Sequence, residues 1–426
     1  MHVARSAGPL RKARPRLGPP FRLLALAGGG LAALLAAPAV AQRHFERAPI
    51  LYRTTAAGDN VLERLQRRLD AGELELPASG RSGRLLALLA ALDVPVASQT
   101  LVWSRTALQR HRVGPANARA LYFGPDVYVA WVPGSAALEL AVGDPRLGLV
   151  FYTLAQDPAE PARFRRDDSC LSCHASERTG DEPGLLLRSV FADAEGHVRG
   201  GADDDDSMRW HTPLAERWGG WLVTSAGTVP HRGNGIAERV DGAFRVVPQG
   251  ARTLTDLPAP FVAVDYPLAS SDLAVLTVLL AQVATHSALL RACYAAQVVQ
   301  AQAAGGDEAA GDRAQRRLDE LAHDVLVALL PQDEPSLRGL ELPVEPAFAA
   351  AFARGFPRDD DGTSLATFDL RERTFAAPLG PWVLAPAFAR LPEALRERVL
   401  PGLRERCAAQ PRLDGHLRAH LPGYAR

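Results

Sequence analysis

Two cysteines stand three positions apart in "RRDDSCLSCHASERTG" (Arg165–Gly180), and a histidine follows the second at once, giving Cys170, Cys173 and His174. Only four cysteines occur in 426 residues, the other two being Cys293 and Cys407. A C-x-x-C-H run arises by accident on the order of once in a thousand chains of average composition, so chance is the weakest account. In covalent haem attachment each thiol adds to a vinyl group as a thioether, and the adjacent imidazole coordinates the iron. A thioredoxin-like dithiol also sits at a helix start, but after a βαβ unit; upstream here is the polar connection "DPAEPARFRRDD". Zinc would need two more ligands at similar spacing, and Cys293 and Cys407 stand alone and far apart. A Cys170–Cys173 disulfide would close a tight loop and leave His174 without a role. The account that uses all three residues is one haem c per chain, with His174 as the proximal iron ligand. Asp167, Asp168 and Ser169 are good N-cap residues, so the motif is expected to open a short helix that "RTGDEPG" ends.

The reactivity of such an iron depends on whether its other face is closed by a side chain or left open. Met208 is the one methionine besides Met1, and it lies in the turn-rich "ADDDDSMRWHTPL" with His211. His231 sits in "VPHRGNG", between a proline and glycines that let a loop carry it inward. His211 and His231 are the distal candidates ahead of Met208, with an open face as the alternative. His286 falls on the apolar stripe Val275, Leu279, Gln282, His286, Leu289, Cys293 and is expected to be a core histidine bonded to Gln282 or a carbonyl. His197, His416 and His420 are expected to be solvated, as are the acidic runs Asp203–Asp206 and Asp359–Asp361. Donors for haem propionates are sought in Arg188, Arg217, Trp218, Trp221 and Arg232.

Residues 1–41 have the three parts of a secretory signal peptide. Six basic residues and no acid lead into "LLALAGGGLAALLAA" (Leu23–Ala37), and "APAVA" offers small residues for cleavage before Gln42. A periplasmic location is the expectation, and an uncleaved anchor the alternative. The rest of the chain carries 42 basic and 48 acidic residues. That mildly acidic balance argues against a nucleic-acid partner, which needs a basic patch.

The elements that must position the motif follow from periodicity. Helical patterns cover Val61–Leu69 and Arg84–Leu92. "RALYFGPDVYVAWVPGSAALELAVGDPRLGLVFYTL" (Arg119–Leu154) alternates between turn signals and reads as an antiparallel meander. Further strands are expected at Gly184–Phe191 and Trp218–Thr224. From Ser270 the period becomes helical, with helices expected from Leu273 to about Ala303, Arg313–Leu330, Glu345–Arg354 and Pro392–Cys407. The fold class is therefore α+β: a meander-containing haem c domain over residues 42–255, then a mainly α-helical C-terminal region over 256–426.

With these residues in view, the chain resembles a group of exported bacterial proteins that carry one C-x-x-C-H and are described as cytochrome c domain-containing. The likeness rests on "ARALYFGPDVYVAWV", "FRRDDSCLSCHASERTG", "GLLLRSVF", "HTPLAERWGGWLVT", "HRGN", "SDLAVLTVLLAQVATHSALLRA" and "DDDGTSLATFDL", from about residue 50 to 400. It implies a haem c on Cys170, Cys173 and His174, and it points to His211, His231 and His286 as members of recognisable blocks. In the group's pattern the fifth block reads H-M-G-N, whereas Arg232 stands at that methionine here. The helix block of the group carries E-H-Q, where this chain has Leu280-Ala281-Gln282. Both departures leave His211 the best-preserved distal candidate. The resemblance supplies no substrate.

Three functions are compatible with this reading. The first is an exported one-electron carrier or redox subunit working with a redox partner protein. The second is an enzyme or gas- or peroxide-binding sensor with an open distal face. In the third, the helical half docks a dehydrogenase or a membrane-associated complex and the haem serves as its wire.

Overall fold

The computed structural model describes residues 43–199, 206–247, 249–250, 265–330 and 333–425. The expected signal peptide, the Asp203–Asp205 part of the first acidic run and the expected division at 255/256 lie outside the described residues. Gln42–Arg426 make one compact unit.

The meander is present. Strands β1 (Thr100–Val102), β2 (Arg119–Phe123), β3 (Val127–Trp131), β4 (Ala137–Asp144), β5 (Gly148–Ala155) and β6 (Phe164–Arg166) pair antiparallel in order, and β9 (Trp221–Leu222) joins the far edge beside β1. Two small hairpins lie apart from this sheet: β7 (Phe191–Ala192) with β8 (Val198–Arg199), and β10 (Ile236–Val240) with β11 (Ala243–Val247). His197 falls in the first hairpin, more exposed than buried, as expected. The strands sought at Gly184–Phe191 and Trp218–Thr224 shrink to β7 and β9. Trp218 and Gly220 take positive φ, 73° and 82°, which no extended strand accommodates.

Side chains alternate across the sheet. One face presents Tyr122, Trp131, Leu138, Val142, Val150 and Leu154 to helices α1 (Val61–Asp70) and α2 (Leu85–Ala91), which bury Leu62, Leu65, Leu85, Leu88 and Leu89. Asn60 caps α1 by accepting from the Leu62 and Glu63 amides, and its own amide donates to Asp144 and to the Tyr152 hydroxyl. One side chain thus starts the helix and fixes it to β4 and β5. The other face is partly empty at its centre, and the motif helix α3 (Leu171–His174) lies against it.

Helix α4 (Leu273–Ala304) buries residues on every side, from Leu273 to Val298. It is long and apolar enough to cross a membrane, yet 89% of its most apolar window is buried inside the protein. It packs on α5 (Glu308–Leu329), which packs in turn on α8 (Glu393–Cys407). The second helix starts earlier than its apolar stripe suggests, because Asp307 caps it by accepting from the Ala310 amide. Short helices α6 (Pro346–Arg354), α7 (Pro386–Ala389) and α9 (Pro411–His420) complete the C-terminal region. Arg390, just beyond α7, reaches back to the β2–β3 turn and forms a two-pronged ion pair with Asp126, both contacts 2.6 Å.

Candidate haem-attachment site

Strand β6 delivers the motif. Asp167 accepts from the Ser169 amide at 3.0 Å, a 3-10 turn covers Asp168–Cys170, and α3 carries Leu171 to His174. Arg166 holds the entry: it pairs with Asp168 at 2.7 Å and donates to the carbonyls of Tyr52 and Thr55. Leu171 and Ala175 anchor the turn in the core. The exit is fixed by Glu182, a buried carboxylate that accepts from the amides of His44 and Phe45 and from the His44 ring.

The geometry sets the proton on His174. Its Nδ1 lies 2.9 Å from the Gly184 carbonyl, which can only accept, so Nδ1 carries the hydrogen and Nε2 keeps a free lone pair. The Gly184 amide returns a bond of 2.8 Å to the His174 carbonyl. Burial holds the ring's pKa below its ordinary value, which keeps it neutral. Its plane leans on Phe151, 4.8 Å between centroids. A neutral imidazole with an oriented free nitrogen is the form that binds a metal.

Both thiols are free, Cys170 half-buried and Cys173 exposed. Burial, reinforced by the charges of Asp167 and Glu139, pushes the Cys170 thiol up to about 12. A redox dithiol needs the opposite shift, so this environment disfavours thiolate chemistry at Cys170.

The motif borders a cavity with an empty volume of about 1310 Å³, including the space at its mouth. Cross-strand register explains its floor. Tyr128, Ala141 and Phe151 lie in one row, and Leu121, Ala130 and Glu139 in the next. Alanines at the centre of both rows leave room where the flanking positions carry large side chains. Leu185, Leu186, Leu187, Trp221, Leu279 and Val283 close the sides. The charged groups of the lining are paired: Glu139 with Arg119, and Arg178 and Arg188 with Asp206. Two free thiols, one correctly protonated imidazole and a largely apolar chamber are the parts a covalently attached haem requires.

The remaining candidates separate. Arg188 lines this cavity, as does Trp221, whose indole donates to the Arg188 carbonyl at 2.8 Å. Arg217 does not; it is buried and spends its guanidinium on the carbonyls of Thr212 and Trp210. Trp218 is buried beside Met208 and edge-on to Trp221, outside the lining. His211 is exposed and lines a neighbouring cavity with Met208, and Leu185–Leu187 and Val283 stand between the two spaces as lining of both. His231 lines neither, and burial lowers its pKa. His286 is a core histidine, but its partner is the Tyr128 hydroxyl at 2.7 Å rather than Gln282. Gln282 instead donates to that same hydroxyl oxygen at 2.9 Å and to the Gly124 carbonyl. Burial, with Arg390 adding, pushes His286 down to about 3, so the ring stays neutral beside the Tyr128 hydroxyl.

Sequence reading missed Tyr128, Glu139 and Arg119 on the floor. Their signal is parity: placed in the register above, these three polar side chains fall on one face of strands that are otherwise apolar. No family model, curated protein or solved structure matches the chain.

Proposed function

We propose that this chain is an exported, periplasmic mono-haem c protein that works by one-electron transfer, as a carrier or a redox subunit with a partner protein. The observation that carries the reading is the His174 Nδ1–Gly184 bond beside two free thiols at the cavity. Cys170 and Cys173 would hold the haem through thioethers, and His174 Nε2 would hold the iron. When bound, the group supplies a metal that takes up and releases single electrons. The chain's own contribution is orientation and environment: Gly184 fixes the imidazole, the apolar walls limit water, and Arg178 and Arg188 bring positive charge to the lining. Apolar burial disfavours the more highly charged oxidation state and so sets the potential.

A second reading is favoured by one specific observation. Among the described residues that line the cavity, His174 and the two motif cysteines are the only His, Met or Cys side chains. That lining suits an iron site left open to a small molecule such as a gas or peroxide, and the Tyr128 phenol is among the side chains of the floor.

The visible spectrum of periplasmically matured protein, ferric and ferrous, with and without carbon monoxide, tests both. Lack of a covalent haem would end the proposal. A high-spin iron that takes carbon monoxide favours the open face. A low-spin iron indifferent to it favours pure electron transfer, and His211→Ala and His231→Ala would then show which loop reaches in.

A further inference from the structure

Three ligand-type side chains meet far from the motif, at positions the sequence assigns to solvent. His416 and His420 are four residues apart on α9, so they share one face, with ring centroids 4.6 Å apart. Asp359 faces both from the turn Asp359–Thr363. Its Oδ2 lies 2.8 Å from His416 Nδ1 and its Oδ1 2.7 Å from His420 Nε2. The turn is closed by the Asp359 amide on the Thr363 carbonyl and the Gly362 amide on the Asp359 carbonyl, both 2.9 Å. Gly362 has φ +85°, which permits that closure.

We propose that Asp359, His416 and His420 form a binding site for a divalent transition metal of the zinc class. All three donor atoms lie within 4.8 Å of one another. Two imidazoles and one carboxylate are a borderline-soft set that zinc accepts, with a fourth position left for water. The site has the access this needs. The His416 side chain is fully buried, whereas those of His420 and Asp359 are 29% and 28% exposed, so the cluster opens on one side. Asp360 and Asp361 follow on the same turn, with Arg412 3.9 Å from Asp361 and Arg358 donating to the Gly362 carbonyl. The two rings already hold the Asp359 carboxyl below its ordinary range.

Hydrogen bonding alone needs one histidine to fasten α9 to this turn, and the second nitrogen aimed at the same carboxylate is what a ligand set adds. Tetrahedral zinc with bonds of about 2.0–2.1 Å separates its ligand atoms by about 3.3 Å. Seating it would therefore move Asp359 back by roughly half an ångström from each ring, within the reach of a turn at the surface.

Zinc titration of the tag-free holoprotein by calorimetry, paired with thermal unfolding, tests the assignment. One equivalent should bind near neutral pH and raise the unfolding midpoint. Asp359→Asn and His420→Ala, both at partly exposed positions, should each lose that equivalent and the midpoint shift. His197→Ala, in the separate Asp193, Glu195, His197 group, should keep both. No uptake of zinc at millimolar concentration would overturn the proposal, as would uptake that Asp359→Asn and His420→Ala leave unchanged.

Discussion

At the scale of residues, protonation follows from neighbours. His286 is buried with Nδ1 2.7 Å from the Tyr128 hydroxyl, and burial depresses its pKa to about 3. An unfolded histidine titrates near 6.5, so between about pH 6.5 and 3 the unfolded chain binds the extra proton. Stability from this residue is complete above the unfolded value and is lost as pH falls towards the folded one. Urea unfolding of wild type and His286→Gln across pH 4–7 should show curves that converge on acidification; parallel curves would remove His286 as the cause. The histidines also mark what sequence could and could not say. The C-x-x-C-H run was legible because its spacing is local, and so was the Asp167 cap. Arg217, Trp218 and His231 do not line the motif cavity and His211 lines its neighbour, because they lie in loops whose direction is set by distant contacts that spacing does not show. His416 is different: Leu413, His416 and Leu417 form the buried stripe of α9. That periodicity was readable, but the arginines around it suggested a solvated helix.

Among elements, the short motif turn bears the most consequence per residue. Asp167 accepts from both the amide and the hydroxyl of Ser169. Asp167→Ala removes the cap that starts the turn, at a cost of about 1 kcal/mol. Chemical denaturation should register that loss, and haem stain per polypeptide should fall with it; an unchanged yield would mean that Arg166 and Leu171 suffice. The meander and the long helix were legible from periods of two and 3.6. The end strands were not, because Trp218 and Gly220 turn the chain where composition favoured extension. The start of α5 was missed for a related reason, since one Asp307 side chain extends the helix through glycine-containing sequence that reads as a break.

For the molecule as a whole, the sheet and the helical region are fastened through a few strong points. Asp126 and Arg390, 264 residues apart in the chain, meet with about four-fifths of each side chain hidden from solvent. Asp126→Ala would leave the guanidinium buried and unpaired and should cost about 3 kcal/mol, the low end for a breached buried pair. Urea midpoints of Asp126→Ala, Arg390→Ala and the double variant would show it: the double variant should lose less than the two singles together. Additive losses would mean that the pair does not couple the regions. The two neighbouring cavities, meanwhile, share Leu185–Leu187, Val283 and Arg178 as lining, with the motif chamber on one side and Met208 and His211 on the other. In evolutionary terms this is a short mutational path. A single large-to-small change at Leu186 would thin the wall between a thioether, an imidazole and the chamber, so descendants of this fold can alter what faces the site without rebuilding the sheet that supports it.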